Sequence, residues 1–139
     1  MNLQPYRHLL ALVLTLFALS ACASAQGCLP YETDGVRLTG TITKMTFPGP
    51  PNYESIRKGD TPETSWVLHL RKPICTTAST DNDAEKSVTD LQLILTARQY
   101  TIYKKFVGRK TSVTITGKLT HAMTGHHHTP VLMDVTRIK

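Results

Sequence analysis

The chain has 139 residues, 40% of them hydrophobic and only 6% aromatic, with three cysteines, and sixteen Lys and Arg against ten Asp and Glu give a formal charge of +6. That length suits one small domain plus an appendage and excludes a multidomain machine. The positive charge favours acidic surfaces or polyanions as partners and carries no information about fold.

In chain order, residues 1–27 come first and read as an export signal: Arg7 and His8 lead into the apolar run Leu9 to Leu19, and small residues follow. The run is about 11 residues, short of the roughly 20 that a bilayer-crossing helix needs, and no later segment comes close. Two cleavage readings stay open. Leu19-Ser20-Ala21-Cys22 resembles the bacterial lipobox, in which the Cys22 thiol receives the lipid, whereas Ala23-Ser24-Ala25 before Gln26 fits ordinary cleavage. The lipobox is the preferred reading, since all four of its positions fit. By resemblance to Gram-negative lipoproteins, Ala23 after the cysteine routes the anchor to the outer membrane. Cys22 is lipidated or removed in either case, so Cys28 and Cys75 remain as a pair, which an oxidising periplasm makes a disulfide. Closing a loop of roughly 48 residues contributes about 4 kcal/mol on chain-entropy grounds.

Val36 to Ile42 alternates apolar and polar, then changes phase so that Met45 and Phe47 continue the apolar face, which predicts a bent first strand with a bulge near Thr43 or Lys44. The second strand alternates over Trp66 to Leu70 and ends at Lys72-Pro73, and residues 76–86 are a polar loop. Val88 to Leu95 is a third strand with Leu91, Leu93 and Leu95 on one face. Thr96-Ala97-Arg98-Gln99 matches a capping box and opens a short amphipathic helix with Tyr100, Tyr103 and Val107 on one side, stopped by Gly108. Thr111 to Thr120 and Val131 to Ile138 are the fourth and fifth strands. The stretches Val36 to Leu38-Thr39-Gly40 and Val113 to Ile115-Thr116-Gly117 share one local pattern. Three strands, a helix and two strands is the order of the oligonucleotide/oligosaccharide-binding (OB) barrel. The expectation is therefore a mainly β fold, a small five-stranded OB-like barrel with one helix between strands three and four, occupying residues 28–139 as a single domain.

Two loops concentrate the unusual residues. The first, residues 47–63, stiffens its entry with Pro48, Pro50 and Pro51 and presents Phe47, Tyr53, Glu54, Arg57 and Asp60 as candidate binding residues. Phe47 and Tyr53 have a second reading, as a lid folded over the barrel mouth. The second loop, residues 121–130, carries His121, Met123 and the run His126-His127-His128 between Gly125 and Pro130. Neutral imidazoles bind Zn or Cu, so His121, His126, His127 and His128 form a candidate metal set. The alternatives are a hairpin whose histidines hydrogen-bond backbone groups, or ligand contact by the same side chains. In OB barrels the loops after strands one and four flank the binding face, which would place these two loops beside one another.

Every acidic residue except Asp134 lies at or before Asp90, whereas Arg98, Lys104, Lys105, Arg109, Lys110 and Lys118 follow without an acid among them. Exported proteins rarely meet nucleic acid, so envelope polymers, head groups or an acidic protein fit this basic side better. Catalysis has little support: the chain holds no nucleophile elbow, no H-E-x-x-H and no phosphate loop.

The segments Cys28-Leu29-Pro30-Tyr31-Glu32, Phe47-Pro48-Gly49-Pro50-Pro51-Asn52-Tyr53-Glu54-Ser55 and Thr124-Gly125-His126-His127-His128-Thr129-Pro130-Val131-Leu132 resemble an uncharacterised family of exported bacterial domains, a domain of unknown function. The resemblance implies an envelope location and supplies no activity. Members of that family are in some cases joined to a segment similar to lysozyme-inhibitor-like lipoproteins, which this chain lacks. The expected function is a non-enzymatic envelope module, lipid-anchored or periplasmic, whose two loops hold an envelope protein or cell-wall ligand. Inhibition of a cell-wall hydrolase and periplasmic Zn or Cu capture are the alternatives.

Overall fold

The computed structural model describes residues 27–139. The predicted export segment and its lipobox at Cys22 therefore lie outside the described residues. Five strands follow one another as β1 (Val36–Pro48), β2 (Pro62–Ile74), β3 (Val88–Ile94), β4 (Val113–His121) and β5 (Val131–Ile138), with helix α1 (Ala97–Tyr103) between β3 and β4. They close in the order β1-β2-β3-β5-β4, and β3 pairs with β5 in parallel while the other neighbours are antiparallel. This is the expected mainly β, OB-like barrel with its single helix in the expected place.

The first strand bends, but not by the predicted bulge. Its ladder to β2 runs in register from Gly40↔Leu70 to Pro48↔Pro62, through Thr43 and Lys44 without interruption. The change of partner falls at Gly40: Val36–Gly40 pair with Gly117–Val113 of β4, and the strand beyond turns to β2. A Cβ at Gly40 would stand 2.1 Å from the His69 carbonyl oxygen, and one at Gly117 would stand 2.2 Å from that of Asp134. Both glycines sit where a neighbouring backbone crosses too closely for a side chain. The two stretches sharing a sequence pattern thus pair with each other antiparallel, with a glycine at each end of the shared ladder. The ladder of β4 with β5 carries a register shift between Thr116 and Gly117, the counterpart of the bend at Gly40.

Inward-facing residues fill the barrel: Leu38, Ile42, Leu68, Leu91, Leu93, Ile115, Leu119 and Met133 are buried in one cluster. Burying one such side chain contributes about 1.5–3 kcal/mol. The capping box on α1 forms as read, with Gln99 N–H donating to Thr96 Oγ1 and Thr96 N–H to Gln99 Oε1. The same Gln99 side chain donates through Nε2 to Val135 O at 2.7 Å, which fastens the helix to β5. Tyr100 meets Trp66 edge to face at 4.9 Å between ring centroids.

Cys28 and Cys75 form the expected disulfide, with Cα atoms 4.6 Å apart. Beside it Leu29 bridges to Thr76, and Tyr31 is buried with its hydroxyl accepting from Thr76 Oγ1 at 2.9 Å. Burial pushes the Tyr31 phenol above its ordinary value. The bond fits an oxidising environment such as exported proteins meet.

Candidate functional site

The two unusual loops do meet, and the residue that joins them is Glu63. β2 starts earlier than expected, at Pro62, so Phe47, Pro48, Pro62 and Glu63 are strand rather than loop, and Glu63 pairs with Phe47. One Glu63 oxygen lies 2.8 Å from His126 Nδ1, and the other lies 3.3 Å from His128 Nε2. A carboxylate only accepts, so both ring nitrogens donate to it. When His126 is neutral its Nε2 accepts the Tyr53 hydroxyl, 3.1 Å away, and when it is charged Nε2 donates to that oxygen instead; the two rings stand edge to face. The His126 hydrogen bond first, then the charge of His126 and the bond to His128, hold the Glu63 carboxyl below its ordinary 4.5, against the opposing effect of burial. His128 stacks on Phe47 at 4.4 Å and 8° between planes, and its side chain is 7% exposed.

The loop reaches that far because β3 holds its underside. Gln92 donates through Nε2 to His126 O, accepts the His128 N–H at 2.7 Å, and sends its backbone N–H to Thr129 Oγ1. The register sets Thr43, Val67, Gln92 and Leu132 in one row across four strands. Val67 and Leu132 are fully buried yet stand apart from the barrel core. The outer face of β2 and β3, which OB barrels use for ligands, is thus roofed in part by the chain's own loop.

The candidate residues divide accordingly. Tyr53, Glu54, Arg57 and His126 border solvent, whereas Phe47 and His128 are packed together under the roof. Asp60 corrects the expectation of a ligand-facing carboxylate. It is buried and accepts the backbone N–H groups of Asn52, Glu54 and Ser55 together with Asn52 Nδ2. Those bonds, the one from Ser55 foremost, keep its carboxyl below the ordinary 3.8. They also hold Tyr53 at φ 59, a left-handed conformation that side chains rarely adopt. Asp60 shapes the first loop from inside.

The four histidines do not form one ligand set. His127 accepts the Met123 N–H on Nδ1 at 2.9 Å inside its own hairpin, and burial lowers its pKa from 6.5. His121 turns away, toward Glu85 at 3.4 Å and the Tyr31 ring. Only His126 and His128 converge, and they converge on Glu63. Among the described residues no group of three His, Cys, Asp or Glu side chains is placed to hold a metal ion. Successive residues of the run point in different directions, which is the physical reason that the set is split.

Three residues outside the predicted set form a chain on the same outer face. Asp90 Oδ1 lies 2.7 Å from His69 Nδ1, and His69 Nε2 lies 2.6 Å from Thr43 Oγ1. The carboxylate fixes the proton on Nδ1, so Thr43 donates to Nε2. In sequence His69 and Asp90 are polar positions of alternating strands, and only the register brings them together.

Residues 90–139, from β3 to the end of the chain, match the family model described as Domain of unknown function (DUF4431). The matched stretch includes the histidine loop and Gln92 beneath it, and it does not include the proline-rich loop. No curated protein and no solved structure matches the chain.

Proposed function

We propose that this protein is a non-enzymatic binding module of the cell envelope, which holds an envelope protein or cell-wall ligand on the joined surface of its first and last loops. The observation that carries this reading is the Glu63 clamp on His126 and His128, which makes two distant loops one preorganised surface. Asp60 freezes one side of that surface and Gln92 the other, so binding orders little further backbone. The outer side of the roof offers Tyr53, Ile56, Arg57 and Met123, the last of them 83% exposed. The disulfide and the predicted export segment support a periplasmic location, and lipid attachment at Cys22 adds an outer-membrane anchor to the proposal.

The test is site-specific photo-crosslinking in intact cells. A crosslinker at Tyr53 or Met123 is expected to capture a discrete partner that one at Lys110, on the far side of the barrel, does not. Equal capture from all three positions, or none from Tyr53 and Met123, refutes the loop surface. Anchoring is read separately, from lipid incorporation that Cys22→Ser abolishes.

A further inference from the structure

At the end of β2 opposite Glu63, the barrel wall opens. The β1–β2 ladder stops at Gly40↔Leu70, after which β1 follows β4 and β2 runs on alone to Ile74, where it pairs with Val88 of β3. Between the diverging strands lies a slot of about 420 Å³. Its floor is apolar, because Leu38 belongs to the core and Leu70 and Ile74 pack against it. Its walls carry Arg37, Arg71 and Lys72, all exposed. No carboxylate lines the slot, and among the described residues none of these three cations is in an ion pair. The eight residue steps from Glu63 to Arg71 span about 26 Å of strand, which separates this slot from the loop surface.

Three unpartnered cations around a low-dielectric recess focus a positive potential on its mouth. Two of them are guanidiniums, whose planar fork matches a phosphate or carboxylate with two parallel hydrogen bonds. The floor gains only from an apolar group, and the volume falls within the range of about 300–1,000 Å³ usual for small-ligand sites. We propose that the slot binds an amphiphilic anion, a phosphate or carboxylate group carried on a short apolar chain. Charge and floor together select this class. A bare anion leaves the partly buried Leu70 and Ile74 open to water, and an apolar cation is repelled at the rim.

The test is calorimetric titration of the purified protein with decyl phosphate below its micelle concentration. Methyl shifts of Leu38 and Leu70 in NMR locate the binding. Inorganic phosphate is expected to bind at least tenfold more weakly, decyltrimethylammonium not at all, and Arg37→Gln with Arg71→Gln to weaken decyl phosphate by about tenfold or more at an unchanged melting temperature. Lys72→Gln, on a third exposed side chain, provides a second variant should the pair perturb folding. Rising salt should weaken the wild-type interaction. The proposal is overturned by absence of decyl phosphate binding to folded protein at about 1 mM. It is equally overturned by undiminished affinity in the variants, or by equal affinity for the cationic amphiphile. Vesicles of phosphatidylglycerol in phosphatidylcholine separate the sources of the anion. Sedimentation that depends on Arg37 and Arg71 supports a lipid head group, and binding of decyl phosphate alone supports a free amphiphile.

Discussion

Removing the disulfide should cost this barrel a large part of its stability. Cys28 and Cys75 are 47 positions apart, so opening the bond returns to the unfolded chain a loop-closure entropy equivalent to about 4 kcal/mol at 25 °C. Around the bond, Leu29 N–H donates to Cys75 O and Thr77 N–H to Leu29 O, backbone contacts that use no cysteine side-chain atom. The Cys28→Ser, Cys75→Ser double variant is therefore expected to keep the fold and lose stability through the unfolded state. For a domain of this size about 4 °C per kcal/mol converts the loss into roughly 15 °C of melting temperature. Urea denaturation should give a lower midpoint together with a steeper slope, because the uncrosslinked chain exposes more surface when it unfolds. A stability loss below about 1 kcal/mol at an unchanged slope would refute the entropic account of what the bond does.

Acid should loosen the joined loops before it unfolds the barrel. Asp60 and Glu63 both have depressed pKa values, so their contribution is complete above the ordinary 3.8 and 4.5 and is lost as pH falls through the folded-state values. Glu63→Gln should flatten the acid limb of a stability profile, and an unaltered limb would mean that the clamp contributes nothing. Gly125→Ala places a Cβ 2.8 Å from the Tyr53 ring, so the Tyr53–His126 contact should vanish from NOE spectra while the barrel stays folded. Thr43, His69 and Asp90 have the order of a hydroxyl nucleophile, base and orienting acid. The non-enzymatic reading expects a fluorophosphonate probe to leave Thr43 unmodified, and a Thr43 adduct detected by mass spectrometry would overturn it.

Much of the barrel is legible along the chain because its strands alternate and its helix carries a local signature. Leu91 and Leu93 fall inward as period two requires, and the capping box at Thr96 and Gln99 is contained in four residues. The bend in β1 lies at Gly40 and not at a bulge near Thr43 for a physical reason. A phase change in the apolar pattern looks like a bulge, yet here Met45 and Phe47 simply lie on the outer face, where His128 covers Phe47. The slot between β1 and β2 left no trace in the pattern, since it arises from where two strands part.

Composition and local pattern by themselves determined the succession of strands along the chain, the helix, the cysteine pair and the two loops worth attention. These depend on neighbours a few residues apart, or on an elimination among three cysteines. Tertiary structure alone decided what the loop residues do. Asp60 turned inward, His121 went to Glu85, His127 served its own hairpin, and Glu63 joined His126 to His128. A polar side chain takes whichever partner the fold brings within hydrogen-bond distance, and that distance is set by strand register across the barrel.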